Sequence, residues 1–223
     1  MHPPFELVVA RYDEDLAWLK RVPRDFLITI YDKGDGSSGG KQLPNEGREA
    51  HTYLHHLAER RDEAADLTVF VQGHPFDHAP DLHKRLPALA DGSGAVADFH
   101  WLGFLADTDD SRGRRLFVPW SKNHERHELQ LDVFHRELFD APGPESYRFF
   151  VGAQFVVTRV AVQGRPRSFY EKAARLAAGF PLAPHCFERC WDRVFGFDGT
   201  AGRLPPGQLT AYFKPVKRLA HSL

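Results

Sequence analysis

The chain has 223 residues, 42% of them hydrophobic and 26% charged, with a formal net charge of −1. This length predicts one domain with a sizeable core, and so small a net charge gives no long-range field to attract nucleic acid or an anionic membrane. We therefore expect no nucleic-acid partner. Because no apolar run approaches the roughly 18 residues of a membrane span, and the N-terminal residues lack a signal-peptide pattern, we expect a cytoplasmic protein with no membrane span.

Two short apolar runs near the N-terminus, residues 5–10 and 26–31, predict strands that are buried on both faces, as in a parallel sheet. A helical turn between them completes the opening of an α/β unit. Ligands of such sheets bind outside the carboxyl ends of the strands. The polar residues that follow the two runs are therefore candidates for nucleotide or substrate binding: Arg11, Asp13, Glu14, Asp15, Asp32 and Lys33.

Residues 34–40 (GDGSSGG) form a glycine-rich segment after the second predicted strand. The segment lacks the GxxxxGK[ST] spacing of a phosphate-binding loop. We expect a mobile surface loop, and a loop that covers a bound ligand is the functional alternative.

An amphipathic helix is predicted over residues 46–61, with Asn45 as its N-cap. Arg48 and Glu49, in its first turns, are further candidates for nucleotide binding. The HExxH pattern of metalloproteases is absent, because the sequence reads HTYLH. Two histidines of this helix are nevertheless four residues apart and could both reach one metal ion: His51 and His55.

A third buried strand is predicted over residues 67–71, and Gln72, which follows it, is a further candidate for substrate or nucleotide binding. Gly73 and Pro75 break the strand there. Three side chains beside this break could bind a divalent cation such as Mn²⁺ or Mg²⁺: His74, Asp77 and His78. The alternative is a turn in which these side chains bond to backbone groups.

The middle of the chain gives weaker signals. A helix is predicted over residues 82–89, an apolar segment over 99–105, a charged loop over 106–115 and a polar linker over 116–130. A fourth strand is predicted over residues 149–158. It is interrupted at Gly152, where a glycine often marks a bulge or the close approach of a ligand, and Gln154 beside it is a candidate binding residue.

Two amphipathic helices follow, one from residue 165 to about 178 and one over residues 185–195. On the second, Glu188 lies at the edge of the apolar stripe and is expected to be partly buried. A partly buried carboxylate has a shifted pKa and can act as a catalytic base. The alternative for Glu188 is an internal ion pair with Arg189 or Arg193.

Seven motifs follow one another along the chain: VVARYDEDLAWL, ITIYDKG, LPNEGREAHTYLHHL, LTVFVQGHPFDH, FFVGAQFVVTR, RPRSFYE and FERCWDRVFG. Their order resembles the uncharacterised family catalogued as domain of unknown function 3431. The resemblance covers most of residues 7–196 and implies a single small α/β domain, without implying a particular activity.

The chain also has a weaker similarity to nucleotide-sugar glycosyltransferases of the GT-A type. In that family the opening strand meets the nucleotide, a later strand ends in a short acidic metal motif, and a helix presents an acidic residue. The resemblance implies these roles for residues 11–15, residues 72–78 and Glu188, with residues 152–154 on the acceptor side. The DxD metal motif is absent after LTVFV, where only Asp77, flanked by two histidines, is available.

The sequence leaves three functions open. The first is a GT-A-like glycosyltransferase that acts on a small-molecule or saccharide substrate, with Glu188 as the base and a divalent cation, Mn²⁺ or Mg²⁺, on the donor diphosphate. The second is a histidine-rich metal-binding protein or metal-dependent hydrolase that holds Zn²⁺ or Cu²⁺ on histidines of the two predicted sets. The third is a non-catalytic binding domain.

The predicted architecture is the same for all three functions. We expect a single α/β domain over residues 1–198, with a mostly parallel central sheet flanked by helices in a GT-A-like (Rossmann-like) arrangement. The Pro/Gly-rich residues 199–223 are expected to form a C-terminal extension.

Overall fold

The structure is a computed structural model that describes residues 2–94, 97–117, 128–197, 204 and 207–213. Most of the predicted linker and most of the predicted C-terminal extension lie outside these residues. The strands are β1 (Phe5–Arg11), β2 (Phe26–Asp32), β3 (Lys41–Gln42), β4 (Leu67–Gln72), β5 (Phe99–Trp101), β6 (Leu105–Asp110), β7 (Ser146–Phe150), β8 (Phe155–Thr158) and β9 (Thr210–Tyr212). The helices are α1 (Arg48–Arg60), α2 (Leu82–Ala90), α3 (Leu131–Phe139), α4 (Arg159–Gln163), α5 (Arg167–Gly179) and α6 (Ala183–Val194).

A six-stranded central sheet has the strand order β3-β2-β1-β4-β8-β5. Strands β3, β2, β1 and β4 are parallel neighbours, whereas β8 runs antiparallel to both β4 and β5. The chain builds this sheet outwards from β1 through β2 to β3 and then returns to the other side of β1 with β4, so the strand order reverses between β1 and β4. The predicted mostly parallel α/β sheet in a GT-A-like (Rossmann-like) arrangement is confirmed.

Helices cover both faces of the central sheet, which explains why its strands read as continuous apolar runs. Side chains alternate in direction along a strand. Val8 therefore faces the layer of α1, α5 and α6, whereas Leu7 and Val9 face the layer that includes α2. All three are fully buried, and each such side chain contributes about 1.5–3 kcal/mol to folding.

A second, three-stranded antiparallel sheet has the order β7-β6-β9. The prediction of one strand over residues 149–158 is wrong, because β7 belongs to this small sheet and β8 to the central one. The chain leaves the small sheet at Gly152, whose φ of 106° is open to glycine. Two short connections, residues 102–104 and 151–154, join the two sheets.

The prediction of a charged loop over residues 106–115 is also wrong for its first half, because residues 106–110 belong to β6. Its acidic side chains are paired rather than solvated, since Asp107 accepts a hydrogen bond from the hydroxyl of Thr210 (2.7 Å) and Asp109 pairs with the guanidinium of Arg189 (3.0 Å). Strand β9 falls within the predicted C-terminal extension. The proposed domain boundary at residue 198 stays a prediction.

Candidate functional site

A polar cavity of about 400 Å³ lies outside the carboxyl ends of β1, β2 and β4, beside the point where the strand order reverses. In open α/β sheets this is where ligands bind, because the loops that leave neighbouring strands diverge there. Most of the lining residues end or follow β1, β2 and β4, and the others lie at or just before the start of α1. The lining consists of Ala10, Arg11, Tyr12, Glu14, Lys33, Asn45, Arg48, Glu49, Gln72, His74 and Asp77.

Arg11, which lines the cavity, forms a buried ion pair with Asp32, with 2.6 Å between Nη1 and Oδ2. Burial opposes ionisation of Asp32, but hydrogen bonds from Ser38 and Gly34 and the charge of Arg11 outweigh it and hold the pKa of Asp32 below its ordinary value. Asp32 is fully buried and lies outside the cavity lining. Asp32 therefore supports the strand ends, and its contact with a nucleotide stays a prediction.

The same ion pair attaches the glycine-rich segment to the sheet. The Arg11 guanidinium donates to the Ser37 hydroxyl (3.1 Å), and Asp32 accepts from the Ser38 hydroxyl (2.6 Å). Gly34 lies so close to the backbone that a Cβ there would come within 1.8 Å of the carbonyl oxygen of Tyr12. The segment predicted as a mobile loop is thus bonded to the ends of β1 and β2.

The loop that follows β1 is bonded to the loop that follows β4. Glu14 accepts a hydrogen bond from the backbone N–H of Tyr12 (2.7 Å), and a Cβ on Gly73 would come within 2.5 Å of the Glu14 carboxylate. The Trp18 indole also donates to the carbonyl of Gly73 (2.8 Å). These contacts form the β1–β4 wall of the cavity.

The start of α1 has an unusual backbone. The helix begins at Arg48 rather than at residue 46, and Asn45 does not cap it. Gly47 and Arg48 both adopt left-handed conformations, with φ of 58° and 47°. For Arg48 this costs about 1–2 kcal/mol, and at residue 47 only glycine fits, because a Cβ would lie 2.5 Å from the carbonyl oxygen of Ala177.

Lys33 holds this backbone in place. Its ammonium group donates to the carbonyl of Glu46 and to the carbonyl of Arg48 (2.7 Å), and it lies 3.4 Å from Nδ1 of His51. Burial lowers the pKa of Lys33 to about 8. Its donors are directed at the protein, so Lys33 supports the site rather than presenting a free charge to a ligand.

Arg48 presents such a charge. Its side chain is exposed and lines the cavity, and no hydrogen-bond or ion-pair partner for it exists within the part of the chain that the structure describes. Tyr12, next to Arg11 at the end of β1, exposes 51% of its surface on the same cavity. Tyr12 was predicted only as a member of residues 11–15 and not as a binding residue by itself, although its position directly after the strand was a signal for it.

Glu49 is the carboxylate of the cavity whose protonation is most perturbed. Burial raises the pKa of Glu49, and the negative charge of Glu188 raises it further. The Arg48 charge and a hydrogen bond with the Gln72 side chain offset part of that shift. Glu49 therefore takes up a proton more readily than an ordinary glutamate.

Glu188 lies outside the cavity lining. One of its carboxylate oxygens accepts from the backbone N–H of Gly152 (2.7 Å) and the other from Arg189 (2.8 Å). The alternative of an ion pair with Arg189 is therefore present, and a role of Glu188 as the catalytic base stays a prediction. His185, one helical turn earlier, has its pKa lowered by burial and interacts with Glu188; its i, i+3 spacing to Glu188 was a signal that sequence analysis missed.

The histidines predicted to bind metal do not converge. Nδ1 of His74 lies 3.4 Å from the carboxylate of Asp77, with both side chains mostly exposed. His78 packs on Gly152, where a Cβ would come within 2.3 Å of its Cβ and Cγ. The ring of His51 lies 6.2 Å from that of His55, and His51 also contacts Glu46 and Lys33.

Within the described ranges, no group of three or more His, Cys, Asp or Glu side chains is arranged to hold a metal ion. Neither predicted metal set, His74–Asp77–His78 or the pair His51 and His55, is supported. Two other predicted binding residues also lie outside the cavity lining. Gln154 is buried and donates to the carbonyl of Pro75 (3.0 Å), and Asp13 is exposed.

The fold and the cavity together define an α/β protein with an open polar site at the reversal of strand order in a Rossmann-like sheet. The chain belongs to the family described as protein of unknown function (DUF3431), which matches residues 7–201. No helix among the described residues could span a membrane.

Comparison with other proteins adds little to this assignment. No curated protein matches the chain. A solved structure of CMP:2-keto-3-deoxy-manno-octonic acid synthetase with CTP is similar over 77% of this chain and 82% of that chain, with 16% identity and a TM-score of 0.30. A likeness at this score carries no argument about function.

Proposed function

We propose that this protein is a GT-A-like glycosyltransferase that binds a nucleotide-sugar donor at the carboxyl ends of β1, β2 and β4. One observation carries the proposal: a cavity at the reversal of strand order brings together Arg48, a cation without a hydrogen-bond or ion-pair partner among the described residues, and Glu49, a carboxyl group with a raised pKa. Its volume of about 400 Å³ lies within the roughly 300–1,000 Å³ of small-molecule sites.

The donor is expected to lie with its nucleoside at the end of β1 and its diphosphate towards α1. Tyr12 exposes an aromatic ring at the first position, and stacking of a base on such a ring contributes about 1–3 kcal/mol. Arg48 supplies positive charge at the second position, where charge-assisted hydrogen bonds to phosphate oxygens are strong.

Glu49 is the group we assign as the base. An acceptor hydroxyl oxygen would form a bond to the anomeric carbon of the sugar while the bond from that carbon to the diphosphate oxygen breaks. The hydroxyl proton would pass to the Glu49 carboxylate, and the nucleoside diphosphate would leave. A raised pKa brings a carboxylate closer to the working pH, which makes it a better proton acceptor, and Glu49 lines the cavity whereas Glu188 does not.

The test combines calorimetric titration of UDP- and GDP-sugars with an assay of nucleoside diphosphate release. In Glu49→Gln, transfer is expected to fall by about 10²–10⁴-fold while donor binding changes little. Glu59→Gln is the matched control, because Glu59 lies on the same helix, is exposed and is outside the cavity lining. The proposal fails if no nucleotide sugar binds, or if Glu49→Gln transfers sugar as fast as the control.

A further inference from the structure

The diphosphate of a nucleotide donor carries several negative charges that the protein must compensate. The resemblance to GT-A glycosyltransferases implies a divalent cation for this purpose. The side chains predicted to ligate that cation are not arranged to hold one. His78 packs on Gly152, and His74 faces a single carboxylate, that of Asp77. The buried Asp32 accepts hydrogen bonds from Arg11, Gly34 and Ser38 and lies outside the cavity lining.

The fixed positive charges around the cavity differ in how far they are already used. Arg11 is paired with Asp32 (2.6 Å) and Asp35 (3.3 Å). Lys33 donates to two backbone carbonyls. Arg48 lines the cavity without a hydrogen-bond or ion-pair partner among the described residues, so its guanidinium keeps its donors for a ligand.

The backbone that carries Arg48 is held before any ligand arrives. Lys33 bonds the carbonyls on either side of Gly47, and the left-handed Gly47 packs against Ala177. A strained, non-glycine left-handed residue such as Arg48 persists only where its surroundings over-determine it, and such residues cluster at ligand sites. Preorganisation of this kind lowers the entropy lost on binding.

Acidic groups also line the cavity, and they limit where an anion can bind. Glu14 bonds to the backbone N–H of Tyr12, on the β1 side. Asp77 lies at the rim, 74% exposed and paired with His74. Glu49 follows Arg48 directly in the chain and is half-buried, whereas Arg48 is exposed and lines the cavity.

We propose that Arg48 binds the diphosphate group directly and that this binding requires no divalent cation. The identity of the diphosphate as part of a nucleotide sugar rests on the proposed function, whereas the anion site at Arg48 does not. A planar guanidinium can donate two parallel hydrogen bonds to phosphate oxygens, so Arg48 takes the place that a metal ion would have on the diphosphate.

The experiment is calorimetric titration with inorganic pyrophosphate and with UDP, each in excess EDTA and in excess Mn²⁺. Both ligands are expected to bind in EDTA, with affinities that Mn²⁺ changes by less than about threefold. Arg48→Gln is expected to weaken binding by about 10- to 100-fold, the equivalent of one charged hydrogen-bonding group. Arg60→Gln, at the far end of the same helix, is the control and is expected to bind like the natural chain.

A second variant separates binding from folding. Arg48→Gly removes the side chain but suits the left-handed backbone, so it is expected to melt at no lower temperature than the natural chain and still to lose binding. Binding that needs Mn²⁺, equal binding by Arg48→Gln, or no binding of either probe overturns the inference. Metal-free binding of pyrophosphate through Arg48 without binding of any nucleotide sugar keeps the inference and ends the proposed function. Binding of nucleotide sugars only in the presence of Mn²⁺ would overturn the inference and leave the proposed function standing.

Discussion

Removal of the Arg189 guanidinium is expected to cause a large loss of stability, because this residue joins α6 to the small sheet. Arg189 is 3% exposed, and it donates to Asp109 (3.0 Å) and to Glu188 (2.8 Å). Its guanidinium also lies 4.4 Å from the ring centroid of Phe149. Arg189→Met keeps an unbranched apolar stem but leaves the buried carboxylate of Asp109 without its cation, which costs about 3–5 kcal/mol.

A double variant shows whether the unpaired charge is the cause. Asp109→Asn removes the second charge while one oxygen can still accept from the backbone N–H groups of Asp110 and Arg115 (2.9 Å each). The two substitutions should therefore be less than additive, with a coupling energy of about 1–3 kcal/mol. Urea unfolding followed by tryptophan fluorescence measures this, since Trp191 on the same helix is fully buried. A loss below about 1 kcal/mol for Arg189→Met, or strict additivity, would refute the reasoning.

Two further predictions concern Gly47, which precedes α1, and His56 within α1, and Gly92, which follows α2, serves as the control for Gly47. Gly92→Ala, at a φ of 75° in open space, should lower the free energy of unfolding by about 1–2 kcal/mol. Gly47→Ala should lower it by about 1–3 kcal/mol more, because the added Cβ meets the carbonyl of Ala177. Equal losses in chemical unfolding would contradict the contact with Ala177. Burial lowers the pKa of His56 from 6.5 to about 3, so the unfolded chain takes up this proton first and the free energy of unfolding should fall as the pH decreases from about 6.5 towards 3. The raised pKa of the adjacent Glu6 acts in the opposite direction. The measurement is therefore the difference in the free energy of unfolding between the natural chain and His56→Gln across that pH range. If the free energy of unfolding has the same pH dependence in both, His56 is not buried in its neutral form.

The central sheet could be predicted because each of its parallel strands can be recognised from its own short stretch of sequence. Strands β1, β2 and β4 are covered on both faces, so each reads as a continuous apolar run that ends in polar residues. The same locality placed Arg48 and Glu49 near the carboxyl ends of the strands, because they begin the first helix after β2 and β3.

Strand β6 could not be predicted, because its information is long-range. Its sequence, LADTDD, reads as a solvated loop. The charges are buried only because Asp109 meets Arg189, 80 residues away, and Asp107 meets Thr210, 103 residues away. The start of α1 was misplaced for a similar reason, since Lys33 of the preceding loop supports the backbone that Asn45 was expected to cap.

The two short connections between the sheets, residues 102–104 and 151–154, can change in length only together. Backbone hydrogen bonds continue across the bend, from Leu102 to Gln154 (2.9 Å) and from Val151 to Leu105 (3.0 Å). One residue inserted into 102–104 would shift β6 by one position against β7 and turn Asp109 to the opposite face. Only a matching insertion in 151–154 would preserve the pairing of β6 with β7. Within the family, insertions and deletions in these two connections are therefore expected to occur together or not at all.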